Sequence, residues 1–222
     1  MNKIVKWLLS FVVCILASDG RAIAQSNFYE EEYKTFSGGA LLGLNLAQID
    51  GDRYFGYSKP GIATGVFVNM RFSGRWGMGM ELLYAQKGSR GDAYVESMYL
   101  GTYVAQCHIG LNYVEVPVVV RYSKDKYVGE VGVSYSRLVK SKETIYEPQP
   151  LYIDEVNNRF SATDLNYVLG VGRHLYKNFY CGIRFQYSII NIRPADRIPV
   201  GYGYGSEGQY NNLFSVRFMY QL

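Results

Sequence analysis

Two histidines and three cysteines are all that 222 residues offer for metal or thiol chemistry. Charge is equally thin. With 23 Lys and Arg against 19 Asp and Glu the net charge is +4, and no Lys/Arg run tracks a phosphate backbone, which excludes nucleic acid as a partner. A mean hydropathy of −0.10 excludes a bundle of membrane-spanning helices, which needs several apolar runs of about 20 residues. It leaves a membrane barrel open, because barrel strands alternate apolar and polar residues. What the chain has in quantity is aromatic and flexible: 22 Tyr and 24 Gly make up about a fifth of its length, a bias toward strands and turns. With 48% hydrophobic and 19% charged residues it is neither disordered nor collagen-like, and one domain is the default.

Lys3 and Lys6 precede an apolar run from Trp7 to Ala17, and Ala22-Ile23-Ala24 places small residues where a signal peptidase reads them. Residues 1–24 are therefore expected to be a signal peptide, cleaved after Ala24, with 25–36, including Glu30-Glu31-Glu32, as a short periplasmic tail. Cys14 follows Val13 rather than a small residue, so it does not read as a lipid-modified cysteine and belongs to the discarded segment.

From about Phe36 onward the apolar pattern has period two, and no stretch sustains a helical stripe. The expected strands are 37–47, 61–72, 76–87, 109–122, 127–138, 164–174, 178–190 and 210–222. The connections 73–75, 123–126 and 175–177 are short, whereas 48–60, 88–108, 139–163 and 191–209 are long. That alternation is the connectivity of an eight-stranded antiparallel up-and-down transmembrane β-barrel over 37–222, with long outer loops and short periplasmic turns. An even strand number returns both ends of the barrel to the periplasmic side. Cys107 and Cys181 then lie at opposite ends of the barrel and are expected as free thiols, although an oxidising compartment would otherwise pair them.

Parity sorts residues by face. One face holds Val66, Val68, Val114, Val118, Leu169, Val171, Ile183, Phe214 and Phe218; the other holds Gly39, Gly65, Gly79, Ala85, Gly132, Ser134, Gly170 and Gly182. Small residues suit the narrow interior of an eight-stranded barrel, and the apolar face suits lipid. Trp76, Tyr84, Tyr122, Phe72, Tyr210 and Tyr220 on the apolar face fit interfacial girdles. The alternative, a secreted soluble barrel binding a lipophilic ligand, requires the opposite facing of every strand. On the inner face Arg71, Glu81, Lys87, Glu115, Arg121, Glu130, Arg184 and Arg217 are expected to pair as a lumen charge network, plugging the barrel rather than lining a channel. Pro117 on that face implies a bulge or a locally broken ladder.

No catalytic constellation emerges, so no enzyme, cofactor or metal is expected. His108 falls near the outer rim and His174 near the periplasmic rim, too far apart to share a metal. A rim enzyme acting on lipid or peptide would have to use His108 with Ser89, Ser97 or a loop carboxylate, and nothing in the spacing supports this. Asp50-Gly51-Asp52 is a weak calcium pattern, and neither Gly170-Val171-Gly172 nor the run from Gly201 to Gly205 resembles a phosphate loop. Tyr146, Tyr152, Arg193, Arg197, Tyr202 and Tyr204 in the long outer loops are the candidate recognition residues, since Tyr offers contact area and a hydrogen bond at low entropic cost. Outer-membrane lipid is one expected partner, and a protein at the outer loops or periplasmic turns is another.

Gly43-Leu44-Asn45-Leu46, Gly61 and Gly65, Glu81 to Gly88, Tyr113-Val114-Glu115-Val116-Pro117, Gly170-Val171-Gly172 and Arg184-Phe185-Gln186-Tyr187, in that order over nearly the whole mature chain, resemble the PorT-type family of outer-membrane beta-barrel proteins. The resemblance implies an eight-stranded barrel in the outer membrane of a diderm bacterium and, from the founding member, a link to type IX secretion. It brings no catalytic residues with it. Leu222 stands where a terminal aromatic is usual, with Phe218 and Tyr220 keeping the alternation.

Overall fold

The computed structural model describes residues 36–52, 56–97, 101–146, 157–199 and 208–222. The expected signal peptide, its cleavage site and the tail up to residue 35 lie outside them. The strands are β1 (Phe36–Asp50), β2 (Lys59–Arg71), β3 (Trp76–Ser97), β4 (Gly101–Lys124), β5 (Tyr127–Tyr146), β6 (Thr163–His174), β7 (Phe179–Ser188) and β8 (Tyr210–Gln221). Each pairs antiparallel with its sequence neighbours, and β1 pairs with β8 to close the ring in the order β1 to β8.

Three tight turns lie at one end. In the β4–β5 turn Asp125 adopts a φ of +55°, a left-handed conformation that a short polar side chain tolerates. The β2–β3 and β6–β7 turns are tied by Ser73 N–H to Trp76 O (3.2 Å) and Leu175 N–H to Phe179 O (2.9 Å). Both ends of the ring meet here as well, Leu222 N–H donating to Gly38 O at 2.9 Å. This is the end expected to face the periplasm.

The apolar face points outward. Val66, Val68, Leu82, Val131, Leu169 and Val171 are exposed, while Leu41, Phe67, Leu83, Val119 and Val168 are buried on the alternate positions. The soluble carrier required the reverse. Phe36, Phe72, Trp76, Tyr122, Tyr127, Phe179 and Tyr220 ring the periplasmic edge of this apolar belt, with Trp76 on Tyr122 and Phe179 on Tyr220 at centroid distances of 4.9 Å. Tyr84, Tyr135, Tyr167, Tyr187 and Tyr210 ring the other edge, Tyr187 stacked between Tyr167 (5.7 Å) and Tyr210 (6.1 Å). From Trp76 to Tyr84 a tilted strand climbs about 20 Å, close to the apolar band of about 25 Å in such barrels.

Three strands outgrow the expectation. Residues 88–108, read as a long loop, are mostly strand: β3 and β4 remain paired up to Ser97 and Gly101. β5 continues to Tyr146, opposite Gln106, so 139–146 is strand as well. Together β3, β4 and β5 project beyond the rest of the ring. A register shift between Asn112 and Tyr113 leaves Val139 of β5 as an extra residue. At Pro117 the ladder keeps its register, but pairing with β3 lapses from Met80–Val118 to Leu83–Glu115, where proline has no N–H to give.

Candidate functional site

The lumen is occupied in layers. Farthest out, the inner positions of the β4 extension, Cys107, Ile109, Leu111 and Tyr113, pack with Ile49, Phe160 and Ile192 into a buried apolar cluster. Phe160 and Ile192 come from the connections around β6 and after β7, which fold inward over the mouth. Arg193 follows them. It is 1% exposed, stacks over the Phe160 ring at 3.6 Å and holds Glu143 with Nη2 to Oε2 at 2.5 Å. This corrects its assignment as an outer recognition residue: the guanidinium faces into the molecule, paired with a carboxylate, because a buried charge requires a partner. Tyr146 is exposed at the end of β5 and Arg197 is exposed in a short 3₁₀ turn at Ala195–Arg197, whereas Tyr152, Tyr202 and Tyr204 lie outside the described residues.

Beneath this cluster lies an anionic layer. Lys87 Nζ is 2.5 Å from Glu115 Oε1 and 3.5 Å from Asp164 Oδ2, with the Tyr113 ring centroid at 5.2 Å. Ser136 Oγ donates to Glu115 at 2.9 Å, and Ser188 Oγ (2.8 Å) and Asn211 Nδ2 (2.9 Å) donate to Asp164. Asp164 was missed in the sequence, yet it shares the inner parity of β6, opposite to Leu165 and Tyr167. Glu115→Ala leaves Lys87 with the longer Asp164 contact as its one ion pair among the described residues and is expected to cost about 3 kcal/mol of barrel stability. Val118→Ala on the lipid face should cost less, since lipid fills the space. Urea midpoints of both variants folded into vesicles provide the comparison.

The next layer is cationic. Arg184 grips Glu81 with two nitrogens at 2.9 Å each and donates from Nε to Glu130 at 2.7 Å. Arg121 reaches Glu81 at 2.8 Å and Glu130 at 3.1 Å, and its Nη1 donates to Asn69 Oδ1. Arg217 Nη2 lies 2.6 Å from Glu81 and its Nη1 3.5 Å from Glu130. Each carboxylate thus faces three guanidiniums, and the multidentate geometry offsets the desolvation of a charge inside a barrel. Glycine makes the room: a Cβ on Gly170 would sit 2.5 Å from Glu130 Oε1, and one on Gly79 would sit 2.8 Å from Arg121 Nη1.

The eight residues expected as one network therefore fall into two clusters and one outlier, and with Asp164 added the two clusters carry opposite surplus charge. Arg71, at the end of β2, is exposed at the periplasmic mouth rather than inside the network. There it lines a cavity of about 810 Å³ with Arg75, Lys124 and Lys177, where Asp125 is the one carboxylate among the described residues.

Cys107 and Cys181 are not joined in a disulfide, and both are buried, at opposite ends. His108 points outward from β4 while Ser89 is buried facing inward, so the two cannot meet; the side chain of Ser97 lies outside the described residues. Among the described residues no group of His, Cys, Asp and Glu could hold a metal ion.

No curated protein matches the sequence. Solved structures that resemble this chain include the attachment invasion locus protein Ail of Yersinia pestis (12% identity, 84% of this chain and 98% of that chain, TM-score 0.43). Neisserial surface protein A (10% identity, 85% and 97% covered, TM-score 0.46) and OprG from Pseudomonas aeruginosa (12% identity, 84% and 94% covered, TM-score 0.36) are others. A family model described as an outer membrane protein beta-barrel domain matches residues 23–193. With that match spanning most of a ring of eight antiparallel strands, the chain belongs to the family of outer membrane protein beta-barrel domains.

Proposed function

We propose that this outer-membrane barrel is a non-enzymatic structural or protein-interaction component with a closed lumen. The observation that carries the reading is the stack of buried ion pairs, Lys87 with Glu115 and Asp164 above Glu81 and Glu130 with three arginines, beneath an apolar cluster. Eight strands enclose only enough space for such side chains. With the bore filled by described side chains and no catalytic set among the described residues, this reading puts function at the two ends: the β3–β4–β5 projection outside, and the basic periplasmic mouth around Arg71, Arg75, Lys124 and Lys177, whose charge suits an acidic protein surface. In this reading residues 1–24 direct export and are removed. The PorT-type resemblance narrows the proposal to an accessory of type IX secretion, and a deletion strain that secretes every cargo protein normally would remove that narrower version.

The test of the closed lumen is electrical. Wild-type barrel inserted into planar bilayers is expected to show no resolvable conductance steps. Stable large single-channel currents would mean that the layers do not seal the bore.

A further inference from the structure

The bulge at Val139 has a chemical result on the outer wall of the barrel. Below it, the inward positions of β5 are Ser134, Ser136 and Leu138, so an unbroken strand would turn Lys140 and Lys142 inward as well. The extra residue reverses the parity, as bulges do. Glu143 swings inward to Arg193, while Lys140 and Lys142 face outward, opposite Asn112 and Gly110 of β4. At the tyrosine edge of the belt and in the register rows just beyond it, the outward face carries Arg137 opposite Val114, Lys140 opposite Asn112, Lys142 opposite Gly110, and Arg90 opposite His108. Lys59, opposite the inward-facing Ala47 of β1, stands at the start of β2 on the other side of β3.

Arg90, Arg137, Lys140 and Lys142 are exposed, and none of them or Lys59 forms an ion pair with a described residue. The nearest carboxylate in the register is Asp92, two residues beyond Arg90. The cations are close enough to act on one another: partial burial, then Lys59, Arg90 and Lys142, press the His108 imidazole toward its neutral form, and burial with Arg90 lowers the proton affinity of Lys59. Like charges gathered with no paired carboxylate among the described residues suit an anion. Between them the row of Gly88 and Gly110 carries no side chain but that of Lys142, leaving a dip. Gln86 and Asn112 border the dip on its membrane side, and Gln86 Oε1 already accepts from Ile62 N–H at 3.4 Å, which turns its amide donors away from that bond.

We propose that this basic patch on the outer wall of β3, β4 and β5 binds the phosphate-bearing headgroup of an anionic lipid in the outer leaflet. The location decides the occupant. Arg137 sits at the rim of the apolar belt and the remaining cations lie within a few residues of it, at snorkelling range of the headgroup layer, so a lipid whose tails lie along Val114 and Val116 brings its phosphate to these residues.

The inference rests on the barrel standing in the outer membrane with β3–β5 outward, which heat-modifiable gel mobility and surface labelling of a Tyr146→Cys variant check separately. The test itself uses folded full-length barrel in nanodiscs of phosphatidylcholine doped with phosphatidic acid, read by native mass spectrometry of retained lipid. Wild type should retain phosphatidic acid over phosphatidylcholine, and each of Arg90→Gln and Lys142→Gln should lower that enrichment about fivefold. The triple variant Arg90→Gln/Lys140→Gln/Lys142→Gln should abolish it, while Lys126→Gln in the β4–β5 turn should leave it unchanged. Equal enrichment in wild type and triple variant would overturn the proposal. So would full displacement by 10 mM inorganic phosphate, which would make the patch a site for free anions and not for lipid.

Discussion

Glu81→Ala is expected to remove about 5 kcal/mol of barrel stability, the upper end of what breaking a buried ion pair costs. Glu81 accepts from Arg121, Arg184 and Arg217, so its loss leaves three guanidiniums sharing Glu130 in a space without bulk water. The magnitude exceeds that for Glu115→Ala because there one ammonium, Lys87, still has Asp164, whereas here three guanidiniums are left with Glu130 alone among the described carboxylates. Charge, not volume, is the cause, and a pair of variants separates the two. Glu81→Met should be nearly as damaging as Glu81→Ala, while Glu81→Met with Arg184→Met restores the original surplus of one positive charge and should recover much of the loss. Urea unfolding in vesicles, followed by the shift between folded and unfolded gel mobility, measures all three. A Glu81→Met barrel that unfolds at the wild-type midpoint would show that the layer contributes no electrostatic stability.

Gly65→Val is expected to be as severe, for a steric reason. A Cβ at Gly65 would stand 2.0 Å from Leu82 O and 2.9 Å from Leu83 Cα. Both are backbone atoms of the adjacent strand, so no rotamer change relieves the clash and β2 must part from β3. The cost should be at least about 3 kcal/mol, beyond the ordinary range for overpacking, because ladder hydrogen bonds are lost along with fit. Gly132 meets Val118 O at 2.1 Å in the same manner, so a strand bends sharply inward at each of these places, as a small barrel requires. Folded yield and urea midpoint for Gly65→Val beside Thr64→Val, on the outward neighbour, give the comparison; similar values for both would exclude close backbone approach as the reason for glycine.

The strands within the belt were legible because lipid outside and small residues inside impose a strict period of two. Above the belt the same strands lose that signature. Water replaces lipid outside, so outward positions become Arg90, Asp92 and His108, while the apolar residues Cys107, Ile109 and Leu111 move to the inside. The apolar phase inverts within β4 between Leu111 and Val114, and a stretch bearing Gly88, Gly91 and Gly101 with charges between them reads as loop. Charged residues of the lumen were visible by parity, but their division into two clusters was not, since it depends on strand tilt and on which side chains reach across the bore. Arg193 was misplaced because no local pattern tells that a connection folds back over the mouth. The bulge at Val139 is one residue in length and leaves no compositional trace.

The ring closes where β1 meets β8, with Gly39 facing Gln221 and Asp50 facing Tyr210. The seven other pairings join consecutive strands and can form as hairpins, at the loop-closure cost of a few to a few dozen residues. The seam alone joins the first strand to the last, so its contacts come with the largest entropy of closure and no local nucleus. Assembly is then accretion followed by a single annular step. Until that step both terminal strands present unpaired edges to the bilayer or to other chains, and the time spent in this state sets the exposure of the nascent protein to misassembly.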